Sequence, residues 1–209
     1  MDVLPQTMLF LGVIPALILL YFSLKKFDGM YKEKTMFIMF IGGIVTGVLS
    51  IILEYSTLQV GFLAIVLFPI LEQMFKTVIL NMRRYQNKKE AVLYGLSLGL
   101  GFGSVFTPYY IIVTSLYYDD INLLYLALVA SIGIIILHGA TGVLIGYGVY
   151  RLKLVKYFLF ATLLYLPVPL TSSIKYSSIA LIPYGLVVYW YSTMKIMPRI
   201  LEKRKKVKK

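Results

Sequence analysis

Residues 121–150 read INLLYLALVASIGIIILHGATGVLIGYGVY, an apolar run without lysine, arginine, aspartate or glutamate and with one histidine, His138. A helix needs about 20 mostly apolar residues to cross the hydrocarbon core of a membrane, and this run exceeds that length. The run therefore predicts a membrane-spanning helix that carries an ionisable side chain near its middle.

Similar apolar runs occur on both sides of this stretch, at 3–24, 35–55, 60–82, 91–117, 154–173 and 177–197. The run 154–173 is interrupted by Pro167 and Pro169, which a membrane helix tolerates where neighbouring helices satisfy the freed carbonyls. The chain has 209 residues, of which 59% are hydrophobic, outside the range of soluble proteins. We expect an all-α polytopic membrane protein, a bundle of about seven transmembrane helices in the cell membrane.

The basic residues predict the orientation of this bundle. Nineteen of the 21 lysines and arginines fall in alternate loops and the C-terminal segment, whereas Asp119 and Asp120 fall in an opposite loop. Loops rich in lysine and arginine stay in the cytoplasm. The N-terminus is therefore expected outside and the C-terminus in the cytoplasm. Residues 1–198 would form one transmembrane domain and 199–209 a basic cytoplasmic tail.

The tail contains a cluster of four consecutive cations, Lys203, Arg204, Lys205 and Lys206. Such a cluster next to a membrane span attracts anionic lipid headgroups, at about 1 kcal/mol per charge. Binding of RNA shares these electrostatics but needs further contacts. We expect the partners of the tail to be membrane lipids and not nucleic acid.

Glu72 lies inside the apolar run 60–82, with Lys76 one helical turn later. An ionisable side chain at such a position costs roughly 2.5–3.5 kcal/mol on insertion scales and marks a candidate functional site. At 1.5 Å per residue, Glu72 would lie roughly 15 Å and His138 roughly 18 Å from the cytoplasmic ends of their helices. The two residues are therefore candidates for one shared site, whereas Glu54 is assigned to the outer interface.

Small residues recur at helical spacing in the runs near this pair. Gly95, Gly99 and Gly103 follow one another in run 91–117, and Gly142 and Gly146 follow His138. Small-xxx-small patterns allow helix backbones to approach closely in a membrane. These glycines are expected to pack helices, because a nucleotide-binding loop would need a preceding strand and a solvated helix start.

The order of these features resembles a known family. The matching segments are Glu72-Gln-Met-Phe-Lys76, then Tyr94-Gly-Leu-Ser-Leu-Gly-Leu-Gly-Phe102, and finally His138 with Gly146-Tyr-Gly148. They are similar to the PrsW family of intramembrane proteases, which is related to CAAX prenyl endopeptidases and bacteriocin-processing enzymes. The resemblance covers about residues 14–150 and implies a multi-helix membrane peptidase.

Two positions depart from the motifs of that family. Its Glu-Glu-x-x-Lys motif reads here with Gln73 in place of the second acid, and its Phe-Ala-x-x-Glu motif ends here in Phe106. The resemblance implies catalytic roles for the remaining residues: Glu72 would activate water, His138 would assist proton transfer, and Lys76 would set the charge of Glu72. Ser104 and Thr107 could position that water or bond back to their own helix.

A metal is the other means of activating water. A hydrolytic zinc usually has three protein ligands, and this chain offers His138 and Glu72 but no cysteine. Zinc is therefore possible with an incomplete set of ligands, and no other cofactor is indicated.

Three functions remain open from the sequence. The first is a degenerate, non-catalytic relative of the family that acts as a membrane interaction or scaffold protein. The second is an active intramembrane endopeptidase that uses Glu72 and His138 on a membrane-protein substrate. The third is a transporter or channel in which Glu72, Lys76 and His138 line a path.

Overall fold

The structure is a computed structural model that describes residues 4–56, 63–117, 120–172 and 177–201. The predicted lipid contacts of the tail, Lys203 to Lys206, lie outside the described residues. Within these ranges the regular structure is helical throughout, and they contain no strand. The predicted all-α class is confirmed for this part of the chain.

The described ranges contain nine α-helices. In chain order they are α1 (Leu4–Leu24), α2 (Glu33–Ser56), α3 (Ala64–Leu80), α4 (Glu90–Ser104), α5 (Phe106–Tyr117), α6 (Ile121–Arg151), α7 (Leu154–Tyr165), α8 (Pro167–Ser172) and α9 (Leu181–Tyr191). Short 3₁₀ turns at Lys25–Phe27 and Ser177–Ala180 flank α1 and α9. After α9 the chain continues through a π-helical turn, Ser192–Ile196, into a 3₁₀ turn, Met197–Ile200.

Among the described residues, five segments are long and apolar enough to cross a membrane. They are Met8–Phe27, Glu33–Ser56, Glu90–Leu116, Ile121–Arg151 and Leu154–Thr171. Each of the seven predicted runs contains helix, but α3 has 17 residues and α9 has 11, so both are shorter than these five. The count of seven spans and their orientation stay predictions.

The predicted run 91–117 is not one continuous helix, because α4 ends at Ser104 and α5 begins at Phe106. Pro108 has no N–H group and therefore cannot donate to the carbonyl of Ser104, four residues earlier. That carbonyl faces Gly12 of α1, where a side chain would overlap with it. The proline thus interrupts the helix, and the glycine allows α1 to cover the interruption.

The helices α4 and α6 form the centre of the bundle. Every residue of α4 from Ala91 to Ser104 is buried, as is nearly every residue of α6 from Ala130 to Tyr150. The core is a contact between these two helices, and the other helices surround it.

The glycines identified in the sequence lie at this contact. A methyl group on Gly95 would overlap with the carbonyl of Gly142, and one on Gly142 with the carbonyl of Gly95. Methyl groups on Gly99 and Gly146 would overlap with the carbonyls of His138 and Ala91. A methyl group on Gly103 would overlap with the backbone of Ile135 and would crowd the side chain of His138. Backbone-to-backbone packing of this kind is available only to very small residues.

The outer helices expose large apolar side chains. Examples are Phe22 on α1, Phe37 on α2, Val78 on α3 and Val155 on α7, each more than 60% exposed. An apolar surface on several helices is unusual for a soluble monomer and fits contact with lipid.

The basic loops meet at one end of the bundle. Residues of the α1–α2 loop and of the α3–α4 loop line a common cavity. The N–H of Asn87 in the α3–α4 loop donates to the carbonyl of Val149 near the end of α6, at 3.3 Å. Arg151 and Arg199 both lie close enough to Tyr157 to act on it electrostatically. The cations of these described loops, with Arg151 and Arg199, thus lie at one end of the bundle.

Candidate functional site

The buried side chain of Lys76 connects α3 to α6. Its Nζ lies 3.0 Å from Nδ1 of His138 and donates to Oγ1 of Thr141 at 2.8 Å. The hydroxyl of Thr141, one turn after the histidine, donates to the backbone carbonyl of His138 at 3.1 Å. All three residues are buried, so this polar contact lies inside the bundle.

The other ring nitrogen of His138 contacts α7. The hydroxyl of Tyr165 lies 2.8 Å from Nε2, and the centroids of the two rings are 4.6 Å apart. Tyr165 is the last residue of α7, immediately before the interruption at Leu166 and Pro167. The proline ends α7 beside the histidine and thereby fixes where the tyrosine lies.

Aromatic rings cover the faces of the histidine. The ring of Phe106 stacks on His138 with centroids 5.2 Å apart, and that of Phe102 lies at 4.7 Å. The ammonium group of Lys76 is 5.2 Å from the centroid of Phe102, within the range of a cation–π contact. Phe106, at the position where the related motif has an acid, thus packs against His138.

Glu72 joins this group from α3. Its carboxyl group lies close enough to Glu54 on α2 and to Tyr165 on α7 to act on both electrostatically. Glu54 also accepts a hydrogen bond from Ser50 at 3.0 Å. Glu54 and Tyr165 thus extend the group to α2 and α7.

The network runs from α3 through α6 to α7. Lys76 contacts Nδ1 of His138, and the hydroxyl of Tyr165 contacts Nε2. We call Glu54, Glu72, Lys76, His138 and Tyr165 the polar cluster.

The sequence predicted three members of the polar cluster, Glu72, Lys76 and His138, and the structure brings these three together. Sequence reasoning missed Glu54 and Tyr165. It assigned Glu54 to the outer interface and did not connect it with Glu72, whereas the two carboxyl groups lie close enough to act on each other electrostatically. The sequence feature that could have indicated Glu54 is its place as a second acid near the end of an apolar run. Nothing in the sequence distinguishes Tyr165 from the other tyrosines.

Several buried polar atoms near this region have no hydrogen-bond partner within the described residues. They are one carboxyl oxygen of Glu72, both amide atoms of Gln73 and the hydroxyl of Thr107. Ser104 differs, because its hydroxyl donates to the carbonyl of Gly101 at 2.7 Å, the back-bond that the sequence suggested. An unpartnered buried polar group costs about 1–3 kcal/mol, so these atoms lower the stability that the polar contacts provide.

The metal prediction named His138 and Glu72. Within the described part of the chain, no three side chains of His, Cys, Asp or Glu lie together where they could hold a metal ion. Both ring nitrogens of His138 are engaged, one by Lys76 and the other by Tyr165.

These observations define a class: a helical protein whose described part contains five helices long and apolar enough for a membrane and a cluster of ionisable side chains inside the bundle. Comparison of the chain with models of protein families, with curated proteins and with solved structures found no match.

Proposed function

We propose that this chain is a multi-pass protein of the cell membrane that spans it seven times, with the N-terminus outside and the C-terminus in the cytoplasm. The shared face of the basic loops supports this orientation, because lysine- and arginine-rich loops remain on the cytoplasmic side. The shorter α3 and α9 would cross the membrane together with the turns that continue them.

We propose further that the chain is a non-catalytic relative of the PrsW-type intramembrane proteases, in which the polar cluster fixes helix packing. The engagement of both nitrogens of His138 supports this most strongly. A general acid or base must reach the reacting group or a water molecule beside it. Here each nitrogen instead reaches a side chain of another helix. The protein would then act through a membrane partner and not by hydrolysis.

The connectivity of the polar cluster supports a packing role. Its five side chains come from α2, α3, α6 and α7, so the network joins four helices. Burial of separate charges in an apolar medium is costly, whereas a paired set whose remaining protons are hydrogen bonded is tolerated. Buried polar groups can make one helix arrangement preferable to others.

The test compares stability with cleavage. A fluorogenic peptide containing a membrane segment, mixed with the purified protein in liposomes, should remain intact, while His138→Ala lowers the melting temperature. The control is Tyr125→Phe, an exposed position on α6, which should change neither quantity. Cleavage by the natural sequence that disappears in His138→Ala without loss of stability would contradict the packing role.

The second candidate is an active endopeptidase, and one feature favours it. One carboxyl oxygen of Glu72 is buried without a hydrogen-bond partner among the described residues. A buried carboxyl group with a free oxygen can serve as the base that activates water in peptide hydrolysis. In that case Glu72→Gln protein that folds normally loses all cleavage of a membrane substrate, and unchanged cleavage removes this candidate.

A transporter or channel is the third candidate. The interruptions at Val105 and Leu166 lie beside the polar cluster, and interrupted helices often border ion or substrate sites in transporters. Ion or proton flux into liposomes that falls in Glu72→Gln protein would support it. Equal flux in the natural sequence and in Glu72→Gln protein would exclude a transporter or channel.

A further inference from the structure

A cavity of about 360 Å³ opens at the basic end of the bundle. Its walls come from the α1–α2 loop, the α3–α4 loop and the start of α4. Three exposed cations line it, namely Lys32, Arg84 and Lys88, and Glu90 is the acid among its described lining residues. The cations thus outnumber the carboxylate among these lining residues, which suits an anionic ligand.

Two buried tyrosines form a rigid part of this wall. The rings of Tyr85 and Tyr94 meet edge to face with centroids 5.6 Å apart. The hydroxyl of Tyr94 accepts a hydrogen bond from the backbone N–H of Lys32 at 3.2 Å. This bond ties the α1–α2 loop to α4 and holds Lys32 at the cavity.

The α3–α4 loop is fixed as well. Asn87 adopts a left-handed backbone conformation, with φ of 59°, and its N–H donates to the carbonyl of Val149 on α6. The guanidinium group of Arg84 lies 4.6 Å from the centroid of Tyr85. Stacking uses the face of a guanidinium group, so its N–H groups remain available at the edge for a phosphate. The backbone at Lys32 and the guanidinium group of Arg84 are thus held in place before any ligand binds.

We propose that this basic cavity binds the phosphate headgroup of an anionic phospholipid. The inference rests on the proposed membrane location and is independent of whether the polar cluster is catalytic. Basic cavities between membrane helices on the cytoplasmic side are suited to anionic headgroups. A lipid fits better than a free phosphate ion, because the neighbouring helices expose Phe37 and Val78 to the surroundings, where acyl chains would lie.

The other polar groups of the cavity select the kind of headgroup. The hydroxyls of Tyr31 and Thr35 line it and can donate to phosphate oxygens. Burial, with Asp28 and Glu33 nearby, raises the pKa of Tyr31, so its hydroxyl keeps its proton. Glu90 would repel a phosphate but can accept hydrogen bonds from headgroup hydroxyls. A hydroxylated anionic headgroup, such as that of phosphatidylglycerol, satisfies both sets of groups.

The experiment measures binding to the purified full-length protein in a neutral detergent. Phosphatidylglycerol, phosphatidylcholine and inorganic phosphate are each titrated, and the melting temperature and native mass spectra are recorded. We expect phosphatidylglycerol to bind and raise the melting temperature, and the other two to do neither. Equal stabilisation by inorganic phosphate would overturn the assignment to a lipid.

Two double variants of equal net charge distinguish binding in the cavity from a general attraction between the basic loops and anionic lipid. Lys32→Gln with Arg84→Gln removes two lining cations, whereas Lys34→Gln with Arg83→Gln removes two exposed neighbours that do not line the cavity. We expect the first variant to bind phosphatidylglycerol roughly 30-fold more weakly and the second to bind nearly as the natural sequence. Equal losses of affinity for phosphatidylglycerol in the two variants would overturn the proposal. We expect the stability of the polar cluster to be unchanged in both variants.

Discussion

At the scale of single residues, His138 determines how the polar cluster is organised. Its two nitrogens contact α3 and α7, and the rings of Phe102 and Phe106 cover its faces. Both nitrogens and the ring of the histidine therefore contact side chains of other residues. Its position resembles that of a catalytic residue, but its contacts are those of a packed core residue.

Tyr165→Phe tests one connection of this network. The substitution removes a hydroxyl that contacts both His138 and Glu72, and leaves those two groups without that partner. Hydrogen bonds between membrane helices contribute about 0.6 kcal/mol on average and up to about 1.7 kcal/mol. For two bonds we expect a loss of about 1–2 kcal/mol in the free energy of unfolding. Tyr125→Phe, at an exposed position, serves as the control, and equal stabilities of the two variants would refute the network.

At the scale of helices, close packing of α4 on α6 positions the polar cluster. Gly99 and Gly103 of α4 lie against the backbone and side chain of His138. A larger residue at either position would separate the two helices. The glycine pattern in the sequence therefore bears directly on the geometry of the histidine.

Gly99→Ala is expected to destabilise the protein, because the added methyl group would overlap with the carbonyl of His138. Overpacking of a close contact costs about 1–3 kcal/mol. The control is Gly42→Ala on α2, where the methyl group would lie 3.8 Å from Leu98, an ordinary contact. We expect the control to be neutral or slightly more stable, since alanine favours helix over glycine by about 0.5–1 kcal/mol. Thermal unfolding compares the two, and similar changes in both would contradict the close approach.

At the scale of the whole molecule, the bundle has an apolar surface and one basic end. Exposed apolar side chains occur on the outer helices, and the basic loops meet around the ends of α4 and α6. This distribution supports the proposed orientation. In that orientation the cavity with Lys32 and Arg84 would lie at the level of lipid headgroups.

Cysteine labelling tests that orientation, because the chain has no cysteine of its own. Single cysteines are introduced at Lys26 and Arg151 in basic loops and at Asp120 in the opposite loop. A membrane-impermeant maleimide applied to intact cells should label only the cysteine at Asp120. Labelling of the other two without permeabilisation would refute the orientation.

Much of the fold follows from the sequence because apolar runs of sufficient length can only be helices in a membrane. The grouping of Glu72, Lys76 and His138 also follows, since ionisable side chains inside a membrane usually pair with one another. The interruption at Val105 was missed, although Pro108 indicates it. The contact of Glu54 with Glu72 could not be predicted, because it depends on how α2 and α3 are placed and not on either helix alone.

The central claim is that the polar cluster holds the helices together. The most direct test is the free energy of unfolding of Lys76→Met, of His138→Leu and of the double variant. Each single variant leaves a buried polar partner unsatisfied, whereas the double variant removes both members of the pair. We predict that the double variant loses less stability than the sum of the single losses, with a coupling of about 0.5–3 kcal/mol. Additive effects, or single variants as stable as the natural sequence, would contradict the claim.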